Sequence, residues 1–432
     1  MYFKPSNLSN ISISLRNDTL DAVQYITDVC KRIDQIENEL HCLVPEKGRK
    51  KRLLAQMHQL LETYPSPSSR PSLFGVLTGV DDMLRVDGLP TTAGSELPPK
   101  ALSGEQSDAV TLLQEAGAIV LGKTECSEFG YLNPAKTANP HDTDYSPGGA
   151  SGGAAAAVAA GFCPLALGIQ TTASIIRSAA YCGVVGFKPS AGRIPTSGVI
   201  PFAKSIDQLG FFTQDINGSS LAASVLVQNW DREVRIVSKP RICLPSDAFL
   251  VQARCDVYNR FYKKIDMLGD NGFEVTSFPI LKEIREVNKV HREIIAAEFA
   301  QAHKKWYAEY GEFYSSHSKT LFEQGSKISK SVLAVDRAIQ QAQKDSIREI
   351  MLREGIDLWI CPSTVTSAPK GNDSTGSPLM SLPWTLAGLP NITIPAGKSS
   401  HNMPLGIQLI AGPGRDERLL QYAGELFQLL SY

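Results

Sequence analysis

The sequence lacks the features that would assign it to several common classes of protein. Its eight cysteines include no Cys-x-x-Cys pair, which disfavours both a disulfide framework and a zinc site. Lysine and arginine total 43 against 44 aspartate and glutamate residues, so no basic excess indicates nucleic-acid binding. No uninterrupted apolar run approaches the ~18 residues of a membrane-spanning helix. We therefore expect reduced thiols and no metal, cofactor, nucleic-acid or membrane partner.

The opening stretch, MYFKPSNLSNISIS, lacks the basic start and the continuous apolar segment of a secretory signal. This absence predicts a cytoplasmic protein. With 432 residues, 43% of them hydrophobic and 20% charged, the chain is long enough to bury a large core and too apolar to be disordered. A packed globular protein is expected.

The N-terminal part of the chain has a helical pattern. Apolar residues three or four apart predict one helix from Asp18 to about His41 and a second from about Arg49 to Tyr64. A proline- and serine-rich breaker follows at 64–71. We predict a helical arm, residues 1–66, that packs on a body formed by residues 67–432.

In the body, short apolar runs alternate with helical patterns, which is typical of a sheet covered by helices. The charge-rich region 228–355 predicts outer helices and a cap within this α/β domain. The segment 370–378 predicts a mobile loop near the pocket. Predicted strands fall at 74–80, 118–121, 356–362, 392–395 and 405–410, and predicted helices at 107–116, 257–268, 283–310 and 331–354.

The most informative segment is glycine- and serine-rich. Residues 146–190 read SPGGASGGAAAAVAAGFCPLALGIQTTASIIRSAAYCGVVGFKPS. Its four leading glycines allow backbone N–H groups to approach either an anion or a second backbone segment, and composition does not separate these two uses. The lysine of a phosphate-binding P-loop is missing.

This segment resembles the signature of the amidase signature family, whose members carry a GGSSGG loop, a TGGSIR-like turn and an AFCGVVGFKPT-like strand. Further matching pieces, among them GKTECSEFG and PLGIQLI, extend the resemblance over roughly residues 20–430. The resemblance implies a single large α/β/α domain around a mixed, twisted sheet. It also implies a hydrolase or acyl transferase that acts on amides and related bonds.

Members of that family use a serine nucleophile, a second serine held by a cis peptide bond, and a neutral lysine. The nucleophile position falls on Ser174, and the oxyanion-hole turn falls on Thr171 to Ser174. Thr172 and Ala173 replace the two glycines of that turn. The backbone N–H donors remain, but side chains at these positions restrict φ. We expect donors whose orientation differs from the family pattern.

The other two catalytic positions depart from the pattern. Ala150 lies at the cis-serine position, with Ser151 beside it, and Asp81 lies at the lysine position. Gln170 stands where the family usually has aspartate, and Ile176-Arg177 replaces the usual arginine and its neighbour. The resemblance therefore implies a degenerate triad, in which a short carboxylate has to reach Ser174 without a bridging hydroxyl.

Three functions remain open. The protein is an attenuated or repurposed enzyme acting on a small acyl- or amide-type substrate, a non-catalytic pseudoenzyme that binds a ligand or partner subunit, or an amidase with an Asp81–water base. A homodimer is also open. The candidate catalytic positions are Ser174, Asp81, Ala150 and Ser151, and the candidate oxyanion or substrate-binding positions are Thr171, Thr172, Ala173, Gly149, Gly130 and Cys126. Cys126 is more typical of a buried apolar residue than of a nucleophile.

Overall fold

The computed structural model describes residues 7–431; residues 1–6, which begin the predicted helical arm, and Tyr432 lie outside the described residues. The α-helices of this part of the chain are α1 (Leu8–Arg16), α2 (Ala22–Leu40), α3 (Arg49–Thr63), α4 (Asp108–Glu115), α5 (Gly152–Ala159), α6 (Ser174–Cys182), α7 (Ile216–Leu226), α8 (Asp247–Leu250), α9 (Cys255–Asp270), α10 (Ile284–Tyr310), α11 (Ser316–Ser326), α12 (Lys330–Glu354), α13 (Leu382–Leu386) and α14 (Asp416–Leu430). The strands are β1 (Leu77–Asp81), β2 (Ile119–Thr124), β3 (Leu165–Gln170), β4 (Val185–Lys188), β5 (Gln208–Thr213), β6 (Ile242–Leu244), β7 (Val275–Ser277), β8 (Leu358–Pro362), β9 (Asn391–Lys398) and β10 (Pro404–Ala411).

These strands form one ten-stranded sheet in the order β2-β1-β3-β5-β4-β9-β10-β8-β6-β7. Strand β1 runs parallel to both of its neighbours, β2 and β3. The centre is antiparallel, with β5 between β3 and β4 and with β10 between β9 and β8. The predicted mixed α/β fold is therefore confirmed.

The segment that the sequence marked as most informative lies in the buried interior. All residues of β3 are buried, and so are all residues of α5 and α6, because helices cover this part of the sheet. A Cβ atom at Gly153 would come within 2.4 Å of the Glu125 carbonyl oxygen. At this position the glycine-rich loop therefore serves the close approach of a second backbone segment.

The long outer helices agree with the apolar periodicity. The predicted helices at 257–268, 283–310 and 331–354 are α9, α10 and α12, and the two predicted at the N-terminus are α2 and α3. Several helices were not predicted individually: α1 and α11 lie in regions that were expected to be helical, and α7 and α14 lie outside them. Helix α10 buries one face, including His291 and Phe299, against the body.

Two further observations concern the length and apolar content of the helices and the state of the cysteines. Within residues 7–431, no helix combines the length and apolar content needed to cross a bilayer. All eight cysteines are free thiols, and only Cys255 is exposed.

Candidate active site

Ser174 is the first residue of α6 and follows a tight turn at the end of β3. Its side chain is buried, with 2% of the residue exposed. The Ser174 hydroxyl has no hydrogen-bond partner among residues 7–431. The hydroxyl at the nucleophile position that the resemblance implies is therefore not engaged in a hydrogen bond with the described residues.

Gln170 holds the end of the helix that carries Ser174. Its Oε1 accepts hydrogen bonds from the N–H groups of Ile175 (2.9 Å) and Ile176 (3.1 Å). Its Nε2 donates to Thr385 Oγ1 at 2.9 Å. Gln170 thus caps two of the N–H groups that a helix leaves without intrahelical acceptors. The sequence analysis identified Gln170 as a difference from the aspartate usual in the family, but it did not predict this capping role.

Two carbonyl groups of the turn, those of Thr171 and Thr172, accept hydrogen bonds from side chains of distant elements. His291 Nε2 donates to the Thr171 carbonyl at 2.8 Å. The Thr385 hydroxyl lies 2.9 Å from the carbonyl oxygen of Thr172, and it shares its one proton between this oxygen and the Ser381 carbonyl. Burial lowers the pKa of His291 to about 4, so the ring donates as a neutral imidazole at neutral pH.

Because the turn carbonyls point toward these partners, its N–H groups are left available. In the part of the chain that the structure describes, no acceptor pairs with the N–H of Thr172, Ala173 or Ser174. Ala173 has φ −147°, and Thr172 has no positive φ either. Side chains at these two positions are therefore compatible with the backbone of the turn.

Asp81 is the last residue of β1 and is completely buried. Its Oδ1 accepts a hydrogen bond from the Met83 N–H at 3.0 Å, while its Oδ2 has no partner. Burial, together with the Asp82 charge, raises the pKa of Asp81 to about 6, against the opposing effects of the Ser151 hydroxyl and the Met83 N–H. The carboxyl is therefore mainly ionised at neutral pH.

A buried ion pair lies beside Asp81. Lys123 on β2 places its Nζ 2.6 Å from Asp82 Oδ1 and also donates to Thr91 Oγ1 at 3.0 Å. Both charged side chains are almost completely buried. Lys123, whose charge also acts on Asp81, is thus committed to Asp82, and the sequence analysis did not single it out.

Ala150 and Ser151 directly precede α5. The Gly149–Ala150 peptide bond is cis, at the position that the resemblance implied. The Ser151 hydroxyl accepts from the Ile169 N–H and donates to the Ile169 carbonyl, each at 3.2 Å. The structure brings Ser151 next to Asp81, but no side-chain hydrogen bond in residues 7–431 joins either of them to Ser174.

Comparison with known proteins identifies the family of this chain. A family model described as Amidase matches residues 24–420. The chain belongs to the Amidase family. It is 29% identical, over 468 aligned residues, to the A subunit of the glutamyl-tRNA(Gln) amidotransferase from Prochlorococcus marinus, with 96% of this chain and 95% of the relative covered.

Solved structures show the same similarity. A crystal structure of an amidase is 26% identical to this chain with a TM-score of 0.87, and 98% of this chain and 100% of that one are covered. A chain from a vestigial protein complex, described as revealing the evolutionary origins of an s-triazine catabolic enzyme, has a TM-score of 0.86. It is 24% identical, with 98% of both chains covered, and supports the fold alone. The protein is amidase- or amidotransferase-like.

In this Amidase-family protein, Arg177 joins the signature loop to the 370–378 segment. Its Nη2 donates to the Gly149 carbonyl (2.5 Å) and to Thr375 Oγ1 (3.2 Å), and its Nη1 donates to the Gly376 carbonyl (2.5 Å). Burial lowers the pKa of Arg177 to about 10. In the sequence, Arg177 differs from the family pattern. In the structure, its hydrogen bonds hold the 370–378 segment against the signature loop.

Two candidate positions remain, Cys126 and Gly130. Burial and the charges of Asp81, Asp82 and Glu125 raise the pKa of Cys126 well above that of a free thiol, which disfavours the nucleophilic thiolate. Gly130 has φ +79° and ends a short 3₁₀ turn. Among residues 7–431, no group of three His, Cys, Asp or Glu side chains could hold a metal ion.

Proposed function

We propose that the protein is an acyl-transfer enzyme of reduced efficiency, which acts on a small amide, ester or related acyl compound with Ser174 as the nucleophile. One observation carries this proposal. The uncommitted Ser174 hydroxyl lies at the start of α6, beside backbone N–H groups that have no acceptor among the described residues. This is the pairing of nucleophile and oxyanion donors that acyl transfer requires.

The proposed reaction begins when Ser174 Oγ attacks the acyl carbonyl carbon and gives up its proton. Negative charge then develops on the carbonyl oxygen, where the N–H groups of Thr172 to Ser174 and the N-terminal end of α6 stabilise it. Expulsion of the amine or alcohol, which takes up a proton, leaves an acyl group on Ser174. Water, or a second nucleophile in a transfer reaction, then releases the acyl group and restores the hydroxyl.

Asp81 is our candidate for the proton acceptor, acting through a water molecule. Its carboxyl has a pKa of about 6, and its Oδ2 is unpartnered. Two features limit the rate: Ala150 has no hydroxyl to relay the proton, and an aspartate side chain is short. A base that depends on an intervening water is less well positioned than a direct hydrogen-bonded base, which is why we propose an attenuated activity.

A second candidate function is that of a pseudoenzyme that binds a ligand or a partner subunit in the cytoplasm. The absence of a side-chain hydrogen bond from Ser174 to any base in residues 7–431 favours it. Because the relatives include a named subunit of an amidotransferase, a search for a second protein that binds this chain is reasonable, with a homodimer as the simplest case. An amidase that uses Asp81 and water at full efficiency is the remaining alternative.

Turnover of a panel of amides and activated esters tests the proposal. Ser174→Ala should lower the rate of any turned-over compound by at least about 100-fold. Ser178→Ala is the matched control, because it removes another buried hydroxyl from the same helix and should leave most of the rate intact. Equal rates for wild type and Ser174→Ala would exclude Ser174 as the nucleophile. A panel with no turnover at all would favour the binding function.

A further inference from the structure

A cavity of about 490 Å³ is lined in part by Arg85 and Asp207. We call it the Arg85 pocket, after one of four residues in its lining that carry the argument: Arg85, Lys204, Asp207 and Trp306. Its volume is in the range of small-molecule sites. A hydrogen bond links the pocket to the candidate active site: Asp207 Oδ1 accepts from Thr171 Oγ1 at 2.6 Å.

Two cationic side chains in this lining lack an anionic partner. Neither Arg85 nor Lys204 forms an ion pair within residues 7–431. Arg85 Nε donates to the Leu102 carbonyl at 2.8 Å, which fixes the side chain and leaves its terminal N–H groups available. Lys204 is exposed, so its ammonium group can move toward a ligand. The two side chains together supply a positive charge that no group of the described chain neutralises by direct contact.

The one carboxylate of the lining is already engaged by other donors. In addition to the Thr171 hydroxyl, Asp207 accepts the N–H groups of Phe202 (2.9 Å) and Ala203 (3.0 Å) at its Oδ2. Asp207 therefore braces the turn rather than pairing with either cation. An incoming anion would find the terminal N–H groups of Arg85 and Lys204 free.

Trp306 adds a fixed apolar surface to the same pocket. Its Nε1 donates to the Ala101 carbonyl at 3.0 Å, and its ring packs edge to face against His303, with centroids 5.2 Å apart. The indole is therefore held from two sides while it still contributes to the lining. A flat apolar group can pack on such a ring, and an attached anion can meet the cations.

From these observations we infer that the Arg85 pocket binds a small carboxylate that carries a flat apolar group. The carboxylate is held by Arg85 and Lys204, and the apolar group packs on Trp306. The lining residue Asp207 bonds to the turn before Ser174, so the bound carboxylate can be part of the acyl substrate. That reading rests on the proposed function. Binding itself does not require turnover, so the two can be tested separately.

The test compares three probes of similar size that differ in charge: phenylacetate, 2-phenylethanol and 2-phenylethylamine. Calorimetric titration of the wild-type protein should show phenylacetate binding at least about tenfold more tightly than the other two. Lys204→Met should remove most of this preference, while Lys204→Arg should retain it. Trp306→Leu should weaken phenylacetate binding, and Lys136→Met, in the lining of a different cavity, should change nothing.

Equal affinity for the three probes, or an undiminished preference in Lys204→Met, would overturn the inference. Lys204 is the decisive position because its exposed side chain makes no contact on which folding depends. Arg85→Met tests the second cation in the same way and should also reduce the preference for phenylacetate. Arg85→Lys, which keeps the charge, is its control. Anion binding without Ser174-dependent turnover would support the pocket and contradict the proposed function, whereas turnover without anion preference would do the reverse.

Discussion

The Ile175 N–H donates a 2.9 Å hydrogen bond to the side-chain oxygen of Gln170. This bond orients the first turn of α6, on which Ser174 lies. A second bond, from Gln170 Nε2 to Thr385, ties the same side chain to α13. The amide of Gln170 therefore orients the start of the helix that carries the proposed nucleophile, without a hydrogen bond to the Ser174 hydroxyl.

Loss of this cap should destabilise the protein. Gln170→Leu has a similar volume but leaves two buried N–H groups without an acceptor, which should lower the free energy of unfolding by about 1–3 kcal/mol. Gln170→Glu keeps an acceptor at the helix N-terminus and should lose less. Urea unfolding measures both, with Gln341→Leu on the exposed side of α12 as the control. A Gln170→Leu variant as stable as wild type would contradict the capping role.

The raised pKa of Asp81 predicts a dependence of stability on pH. In the unfolded chain its carboxyl ionises near its ordinary pKa of about 3.9, whereas in the folded state the pKa is about 6. Between these values the folded state binds more protons, so stability falls as the pH rises. Asp81→Asn does not titrate. Between about pH 4 and pH 7, the free energy of unfolding of Asp81→Asn should therefore increase relative to that of wild type by about 2 kcal/mol.

Urea unfolding at several pH values gives this difference directly. Asp87→Asn, at an exposed position, is the matched control and should follow wild type throughout. If the gap between Asp81→Asn and wild type stays constant with pH, the folded-state ionisation described above is wrong. If Asp81 is also the base, turnover should increase as the pH rises through about 6 and should lose this dependence in Asp81→Asn.

Arg177 should control the accessibility of the 370–378 segment. Arg177→Met removes the hydrogen bonds to Thr375 and Gly376, so the segment should open more often. Lys370 is exposed, and tryptic cleavage after it, followed by mass spectrometry, should become about tenfold faster. Arg348→Met, an exposed arginine on α12, should leave the cleavage rate unchanged. Cleavage of Arg177→Met at the wild-type rate would show that the brace does not hold the loop.

Restoring the family residues should raise amide hydrolysis. The double variant Asp81→Lys with Ala150→Ser supplies a longer base and a relay hydroxyl, beside turn N–H groups that have no acceptor among the described residues. We expect it to exceed wild type by at least about tenfold on a simple amide, and each single variant to gain less. A folded double variant with no gain would show that positions 81 and 150 do not limit the activity, and the Thr172–Ala173 turn would be the next position to test.

Local sequence patterns are sufficient for much of the fold. Apolar periodicity predicts α2, α3, α10 and α12, and short apolar runs predict β8 and β10, because these elements each bury one face or a continuous run of side chains. The site is different. Gln170 and Thr385 are 215 positions apart, and Arg177 meets a loop almost as distant. Such contacts depend on the completed sheet, so no local pattern could have predicted them.

The glycine-rich loop shows the same limit at a single residue. Its composition allowed either an anion or a second backbone segment near the N–H groups, and the contact between Gly153 and the Glu125 backbone establishes the second use at that position. The resemblance to the family placed Ser174 in a turn, and in the structure Ser174 begins α6 directly after the turn that follows β3. It did not indicate that the side chains replacing the glycines fit the turn at negative φ.

Trapping the acyl-enzyme tests the central claim most directly. The protein is incubated with p-nitrophenyl acetate, quenched in acid and digested with trypsin, and the peptide that ends at Arg177 is sequenced by mass spectrometry. We predict one acetyl group on Ser174 in wild type and in Ser178→Ala, and none on this peptide in Ser174→Ala. Ester cleavage that leaves Ser174 unmodified, or that proceeds at an equal rate in Ser174→Ala, would contradict the account.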